Sequence, residues 1–402
     1  MRKLLASILQ KQAHRYIRKN RFTVIAVVGS VGKTSTTQAI AQILSESFQV
    51  RTTIKNYNSD IGVPCSIFGR YIPSGLKNPF SWAWLLLRNT ASLFRKPNFS
   101  ILVLELGTDK PGEIEAFNWL RPDIAVVTAV AQEHMEFFET LEAVAKEELS
   151  VASYSSKVLI NRNMVAQDYI SYIDNEELFN YSREDIEHIG LKPRDLSIVG
   201  EHSIDTVAAG IAVGKELGMS KLELSSGAKK VRPQKGRMNP LKGIRGSLLI
   251  DDTYNASPDA YQAALAYVYA QKAPQRIVLL GNMNELGKSS KDAHRILGEM
   301  CDPKKLDMVV TLGPDANHHT ADTARKRGCN VVATQTPYEA AEVIEKALKD
   351  DALVLLKGSQ NGVFAEEAVK LLLANPEDAQ LLVRQEKNWL KKKQESFKYE
   401  KN

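Results

Sequence analysis

Residues 23–47 read TVIAVVGSVGKTSTTQAIAQILSES, an apolar β-branched run that enters a glycine-bearing turn and leaves it as a helical pattern. A strand, a turn and a helix in that order are what a phosphate-binding loop requires. Glycines let backbone N–H groups approach phosphate oxygens, and the helix N-terminus adds the positive end of its dipole. Gly29, Ser30, Val31, Gly32, Lys33, Thr34 and Ser35 are therefore expected to cradle a nucleotide. Lys33 would reach the β/γ-phosphates and the Thr34 hydroxyl would ligate Mg²⁺. Val27 stands where the strict loop signature has its first glycine, so the reading rests on the flanking strand and helix as well as on the motif.

The same alternation continues outward in ILVLELG (101–107), DIAVVTAV (123–130), KVLIN (157–161), SLLIDD (247–252), RIVLLGNM (276–283), DMVVTLG (307–313) and ALVLLKGS (352–359). Continuous apolar strands separated by helical stretches imply α/β folds with parallel sheets covered on both faces. At roughly 150 residues per domain, 402 residues allow two or three domains. The stretch GAKKVRPQKGRMNPLKGIRG (227–246), rich in Lys, Arg, Gly and Pro, is the best candidate for a junction. The expected organisation is a basic amphipathic helix over 1–21, a P-loop parallel-sheet ATPase domain over 22–232 with an insertion at about 69–98, and a smaller Rossmann-like α/β domain over 233–402. Trp389 to Asn402 reads as a solvated helix end or frayed tail.

Charge is unevenly placed. The chain carries +6, yet residues 1–22 hold seven basic residues and no acid, so the remainder nets −1. The body of the protein presents no basic face for nucleic acid. Leu4, Leu5, Ile8, Leu9, Tyr16 and Ile17 make the N-terminal helix amphipathic, and it serves either as a packing helix or as a membrane-surface contact. Residues 80–94 (FSWAWLLLRNTASLF) are too short an apolar run to span a bilayer and read as a helix in the insertion. Cys65, Cys301 and Cys329 form neither a metal motif nor a disulfide framework, which suits a reducing cytoplasm.

Two further polar groups sit at strand carboxyl ends, the edge at which open α/β sheets bind ligands. Glu105 ends an otherwise apolar strand, and His134 follows the next one in QEHME. Asp251 and Asp252 follow SLLI and could equally cap the next helix.

The constellation GSVGKTS, NYNSDIGVP (56–64), LELGTDKPGEI (104–114), HMEFFETLEAVAKEE, GRMNP, DDTYNASP (251–258), GNMNELG and KGSQN, in this order, resembles the Mur ligases. Within that family it is most similar to the members that add D-alanyl-D-alanine to a UDP-muramoyl tripeptide. The resemblance implies an ATP-dependent ligase that joins a carboxylate acceptor to an amino acid or dipeptide amine through an acyl phosphate, with ATP and two Mg²⁺ as cofactors. Lys33, His134, Glu148 and Arg237 would then be catalytic, and Thr34, Glu105, His134 and Glu148 would hold metal. Arg237 resembles the arginine brought to the phosphates, Asp252 the acid on the ribose, and Tyr254 and Asn255 would line the nucleotide cleft. Asn56, Asn58, Ser59, Asn284, Glu285, Lys357 and Ser359 would meet substrate, with Lys357 and Ser359 foremost for the incoming amine.

Departures from the family pattern carry their own expectations. Glu148 stands where relatives usually have a lysine that reacts with CO₂ to give a carbamate, so a glutamate supplies that charge on a shorter arm. Ser203 and Thr206 replace asparagines near adenine, and Gln360 replaces an arginine. Only about twenty residues precede the first strand, where the family usually devotes a domain to the UDP-sugar. The alternative acceptor is thus a carboxylate without UDP: a polymer end, a membrane-linked molecule or a small conjugate.

Overall fold

The computed structural model describes residues 2–54, 56–73, 78–131, 135–173, 175–284 and 286–398. Backbone contacts divide the chain into two units. The first comprises Met1–Ser197 and His202–Arg232, the second Ile198–Glu201 and Pro233–Asn402.

The first unit is built on β1 (Thr23–Val28), β2 (Val50–Thr52), β3 (Ile101–Glu105), β4 (Ile124–Val127), β5 (Lys157–Asn161) and β6 (Leu178–Tyr181). They form one sheet in the order β2-β3-β1-β4-β5-β6, with every pairing parallel. All residues of β3 and β4, and five of the six in β1, are buried, because helices cover both faces. The chain leaves β1 for β2 and β3 on one side and then crosses to β4 on the other. The carboxyl ends of β1, β3 and β4 therefore flank the point where connections diverge, the usual crevice for a ligand.

The first half of this unit carries α1 (Arg2–Asn20), α2 (Lys33–Leu44), α3 (Gly62–Phe68) and α4 (Pro79–Ser92). Helix α1 buries Leu9, Ala13, Tyr16 and Ile17. Tyr16 stacks on Phe68 at 4.9 Å and meets Phe22 edge-on at 5.2 Å, while Phe22 stacks on Phe99 at 4.5 Å. Such aromatic pairs add about 0.5–1.5 kcal/mol each beyond area burial. Helix α4, in the insertion, begins where the Asn78 side chain accepts from the N–H groups of Phe80 and Ser81, with Pro79 at the first helical position.

The second unit holds β7 (Asn239–Lys242), β8 (Leu248–Asp252), β9 (Arg276–Gly281), β10 (Met308–Leu312), β11 (Val331–Thr334) and β12 (Leu353–Lys357). Their order is β11-β10-β9-β12-β8-β7, parallel except for β7. Alternate residues feed two cores: Leu249, Leu279, Val310 and Leu356 go to one, Ile250, Val278, Val309 and Leu355 to the other.

Two sequence expectations are corrected here. Asp251 and Asp252 do not cap the following helix (Pro258–Ala270), whose N-terminus is closed by the Ser257 hydroxyl accepting from Ala260 N–H. The C-terminal helix (Lys387–Lys398) is not merely solvated. Lys393 is buried, with its ammonium 2.9 Å from Glu366 and 2.7 Å from Glu367, and Arg384 also pairs with Glu366 at 2.8 Å. Buried carboxylates need such partners, and the helix brings one of its three consecutive lysines inward to supply it.

Candidate active site

The loop after β1 is shaped by two left-handed glycines. Gly29 has φ +124, and a Cβ there would lie 2.3 Å from Thr128 Oγ1 and 2.8 Å from Ala129 N, so no larger residue fits without displacing the neighbouring strand end. Gly32, at φ 86, occupies the N-cap position of α2, and no side chain caps that helix. A glycine at the N-cap offers no side-chain acceptor of its own to the first turn of α2, which suits a helix end that receives an anion.

Side chains hold the loop from below. Thr128, immediately after β4, donates to Val31 O at 2.6 Å and Val28 O at 3.1 Å. Ser30 Oγ accepts from Ala131 N–H at 3.0 Å. Lys33 Nζ donates to Gly29 O at 2.5 Å and lies 4.0 Å from Glu148 Oε1.

Glu148 is fully buried on the helix Leu141–Leu149. Its Oε2 accepts from Gly29 N–H at 2.7 Å, and its Oε1 has no hydrogen-bond partner among the described residues. A carboxylate oxygen in this state is costly unless a cation faces it. Lys146, two positions earlier, is exposed and pairs with Glu142 at 2.8 Å.

Glu105 repeats the pattern. It stands level with Val27 across the β1–β3 pairing and is 3% exposed. Its Oε1 accepts from Asn58 Nδ2 at 3.1 Å, while Oε2 is buried without a hydrogen-bond partner among the described residues. Asn58 can approach because Gly107 lacks a side chain: a Cβ there would lie 2.5 Å from Asn58 Nδ2. Asn56 and Ser59, in the same segment, are exposed, and the Ser59 hydroxyl accepts from Gly62 N–H. Lys33, Thr34, Glu105, Asn58 and Glu148 are thus all borne on segments at the carboxyl ends of β1 and β3 or packed directly beneath them. His134 lies outside the described residues.

Sequence reading passes over two residues that shape this region. Thr128 is the polar residue closing the apolar run of β4, the same signal that marks Glu105. Glu147 accepts from Gly112 N–H at 2.7 Å, Ile114 N–H at 2.8 Å and Thr108 Oγ1 at 3.1 Å, fixing the loop after β3. Its neighbour Glu148 draws attention only through the count from His134. Thr206 is buried and spends its hydroxyl on Ser203 O at 2.6 Å, beside a small pocket lined by Gly32, Thr36, Asn161 and Asp205.

In the second unit Asp252 accepts from Met238 N–H at 3.1 Å and pairs with Lys357 Nζ at 2.7 Å. Lys357 is 2% exposed and also donates to Asn255 O at 3.0 Å. Lys357, expected to meet the incoming amine, thus has its ammonium enclosed and paired with Asp252. Ser359 is likewise buried, accepting from Asn284 N–H at 3.0 Å. Asn284 Nδ2 donates to the carbonyls of Gln360 and Asn361, so it ties two loop ends together. Glu285 lies outside the described residues. Arg237 sits 4.3 Å from the Tyr254 ring centre, and its buried Nε has no hydrogen-bond partner among the described residues. Asn255 is exposed.

His294 supports this second loop cluster. It is fully buried, its Nε2 accepting from Met283 N–H at 3.0 Å and its Nδ1 lying 2.8 Å from Ser290 O. A neutral ring with hydrogen on Nδ1 satisfies both contacts, and burial pushes its pKa below the usual imidazole value. The unfolded chain takes up this proton near pH 6.5, whereas the native ring resists it. Stability present above that pH should therefore be lost as pH falls, by at most about 1.4 kcal/mol per pH unit. Thermal unfolding from neutral to mildly acidic pH should show this slope, reduced in His294→Gln. An equal slope in that variant would remove His294 from the effect.

Comparison with known proteins places this geometry. Residues 27–71 and 83–212 match the Mur ligase middle domain, and residues 236–360 match the Mur ligase, glutamate ligase domain. The UDP-N-acetylmuramoyl-tripeptide–D-alanyl-D-alanine ligase of Bacillus subtilis (strain 168) is 27% identical over 394 residues, covering 92% of this chain and 79% of that one. MurF from Acinetobacter baumannii superposes with a TM-score of 0.70 at 23% identity, over 91% of this chain and 79% of that one. MurF from Thermotoga maritima, solved in complex with ADP, gives 0.69 at 22% identity, over 91% and 83%.

Proposed function

This chain belongs to the Mur ligase family of ATP-dependent carboxylate–amine ligases, and from that membership we propose that it joins D-alanyl-D-alanine to a muramoyl-peptide carboxylate. The observation that carries the reading is the buried Glu148 carboxylate, which holds Gly29 N–H and faces Lys33 beneath the phosphate loop. The acceptor carboxylate attacks the γ-phosphate of ATP, ADP leaves, and an acyl phosphate forms. The amine then attacks the acyl carbon, phosphate leaves and the amide remains. Little covalent work falls to the protein, so its residues act by neutralising charge and positioning.

Lys33 and the N–H groups of α2 compensate phosphoryl charge. The buried orphan oxygens of Glu105 and Glu148 fit a divalent cation, and Mg²⁺ would be held by these two with Thr34 and His134, where it would offset phosphate charge. We assign Arg237, Asp252, Tyr254 and Asn255 to the nucleotide on the family resemblance. All three cysteines are free and buried, with the Cys65 and Cys301 thiols pushed up to about 12 by burial, which gives thiol nucleophiles no part and suits a cytoplasmic enzyme.

Phosphate release by the purified protein with ATP, UDP-N-acetylmuramoyl tripeptide and D-alanyl-D-alanine tests the assignment. Amide product and phosphate are expected in equal amounts. Turnover only with a carboxylate lacking UDP would move the acceptor to the alternative class. No ATP-dependent product from any acceptor and amine pair would overturn the ligase reading.

A further inference from the structure

Helix α4 is apolar on two opposite faces. Trp82, Leu85 and Asn89 are buried, the first two in a cluster with Ala6 and Leu9 of α1. On the other side Phe80 is 84% exposed, Trp84 63% and Leu87 64%. At about 100° per residue these three, with Ala91, fall within roughly 60° of arc, opposite Trp82 and Asn89. Phe94, just beyond the helix, is also exposed. Single exposed apolar side chains are ordinary, but a stripe of Phe, Trp and Leu marks a surface that something covers.

The stripe is mounted on a fixed support. Gln12 of α1 donates to Leu86 O at 3.0 Å and Thr90 Oγ1 at 2.9 Å, and Lys19 donates to Leu93 O at 2.5 Å. Contacts that advance together along both helices mean that α1 and α4 run parallel, tied at three levels. The family match begins at residue 27 and skips 72–82, so α1 lies wholly outside it and α4 in part.

Charge selects the occupant. Residues 1–21 and 69–98 together hold twelve Lys and Arg and no Asp or Glu, although the whole chain carries only +6. Arg88, Arg95 and Lys96 flank the stripe and are exposed. A second copy of this chain, meeting the patch about a two-fold axis, would set the same cations against each other. An anionic lipid surface meets both features, since aromatic and leucine side chains settle at the headgroup boundary and lysines and arginines above it. No helix among the described residues is long and apolar enough to cross a membrane, so the contact lies on the surface.

We propose that α1 and α4 dock this protein on an anionic bilayer, with Phe80, Trp84 and Leu87 entering the headgroup region. The proposal is independent of the acceptor's identity. Co-sedimentation of the full chain with phosphatidylcholine vesicles, with and without phosphatidylglycerol, tests it. Binding is expected only to the anionic vesicles and should weaken with added salt. Phe80→Ser/Trp84→Ser/Leu87→Ser should lower it by about tenfold or more, with circular dichroism and ATP turnover unchanged. Arg88→Glu/Lys96→Glu should also weaken it. Absence of vesicle binding, or equal binding by the triple serine variant, would overturn the proposal. So would a dimer that the triple variant dissolves without any vesicle binding, which would assign the stripe to a second copy.

Discussion

ATP turnover should fall by about 10³-fold or more in Lys33→Ala, the scale on which a positioned cation stabilises a transferring phosphoryl group. Lys33 is the first residue of α2, and its ammonium is held at the loop by Gly29 O at 2.5 Å with Glu148 Oε1 at 4.0 Å. That placement pre-pays the ordering of a flexible side chain, so the charge is in position before phosphate arrives. Folding should survive. The substitution removes the ammonium's hydrogen bonds to the carbonyls of Gly29 and Ser30 and the cation facing buried Glu148, a cost on the order of 3 kcal/mol that lowers the unfolding temperature, while Thr128 and Glu148 still hold the loop. Phosphate release and thermal unfolding of the same preparation check both halves. Near-normal turnover in a folded Lys33→Ala protein would detach the loop from the chemistry.

What sequence reading reaches, and where it stops, follows from burial. The eight strands visible as apolar runs are β1, β3, β4, β5, β8, β9, β10 and β12, the interior of both sheets. The four without a signal, β2, β6, β7 and β11, are the four sheet edges. An edge strand has a neighbour on one side only, and these are three or four residues long and mostly half-exposed, so no continuous apolar run is demanded of them. The same logic separates the site residues. Glu105 is legible because an acid interrupts an apolar strand at the ligand-binding end. Lys357 reads as a substrate contact because KGSQN ends an apolar strand at the ligand-binding edge. Its partner Asp252 is 105 residues away in sequence and becomes its neighbour only through the β12–β8 register. Lys393 is hidden in the same way, since nothing in a run of three lysines shows which one the fold will turn toward Glu366 and Glu367.

Glu148→Gln should separate a structural carboxylate from one that serves the metal. The glutamine keeps the shape, and its amide oxygen can still accept from Gly29 N–H, so the loop should stay in place. The atom replacing Oε1 becomes an NH₂ group facing Lys33 Nζ, two donors where an acceptor and a cation had been. Loss of that negative charge should lower Mg²⁺ affinity and acyl-phosphate formation by about 10- to 100-fold, as when one supporting charge is removed from a metal site. Raising Mg²⁺ should recover part of the activity, a response that a purely structural defect would not show. Because a glutamate already supplies the charge, bicarbonate should leave the wild-type rate unchanged. Lys146 should carry no carbamate, its side chain being exposed and paired with Glu142. Full activity of Glu148→Gln at limiting Mg²⁺, or a carbamate mass on Lys146 in the active enzyme, would show that another group holds the cation and that the Glu148 carboxylate serves only to pin Gly29.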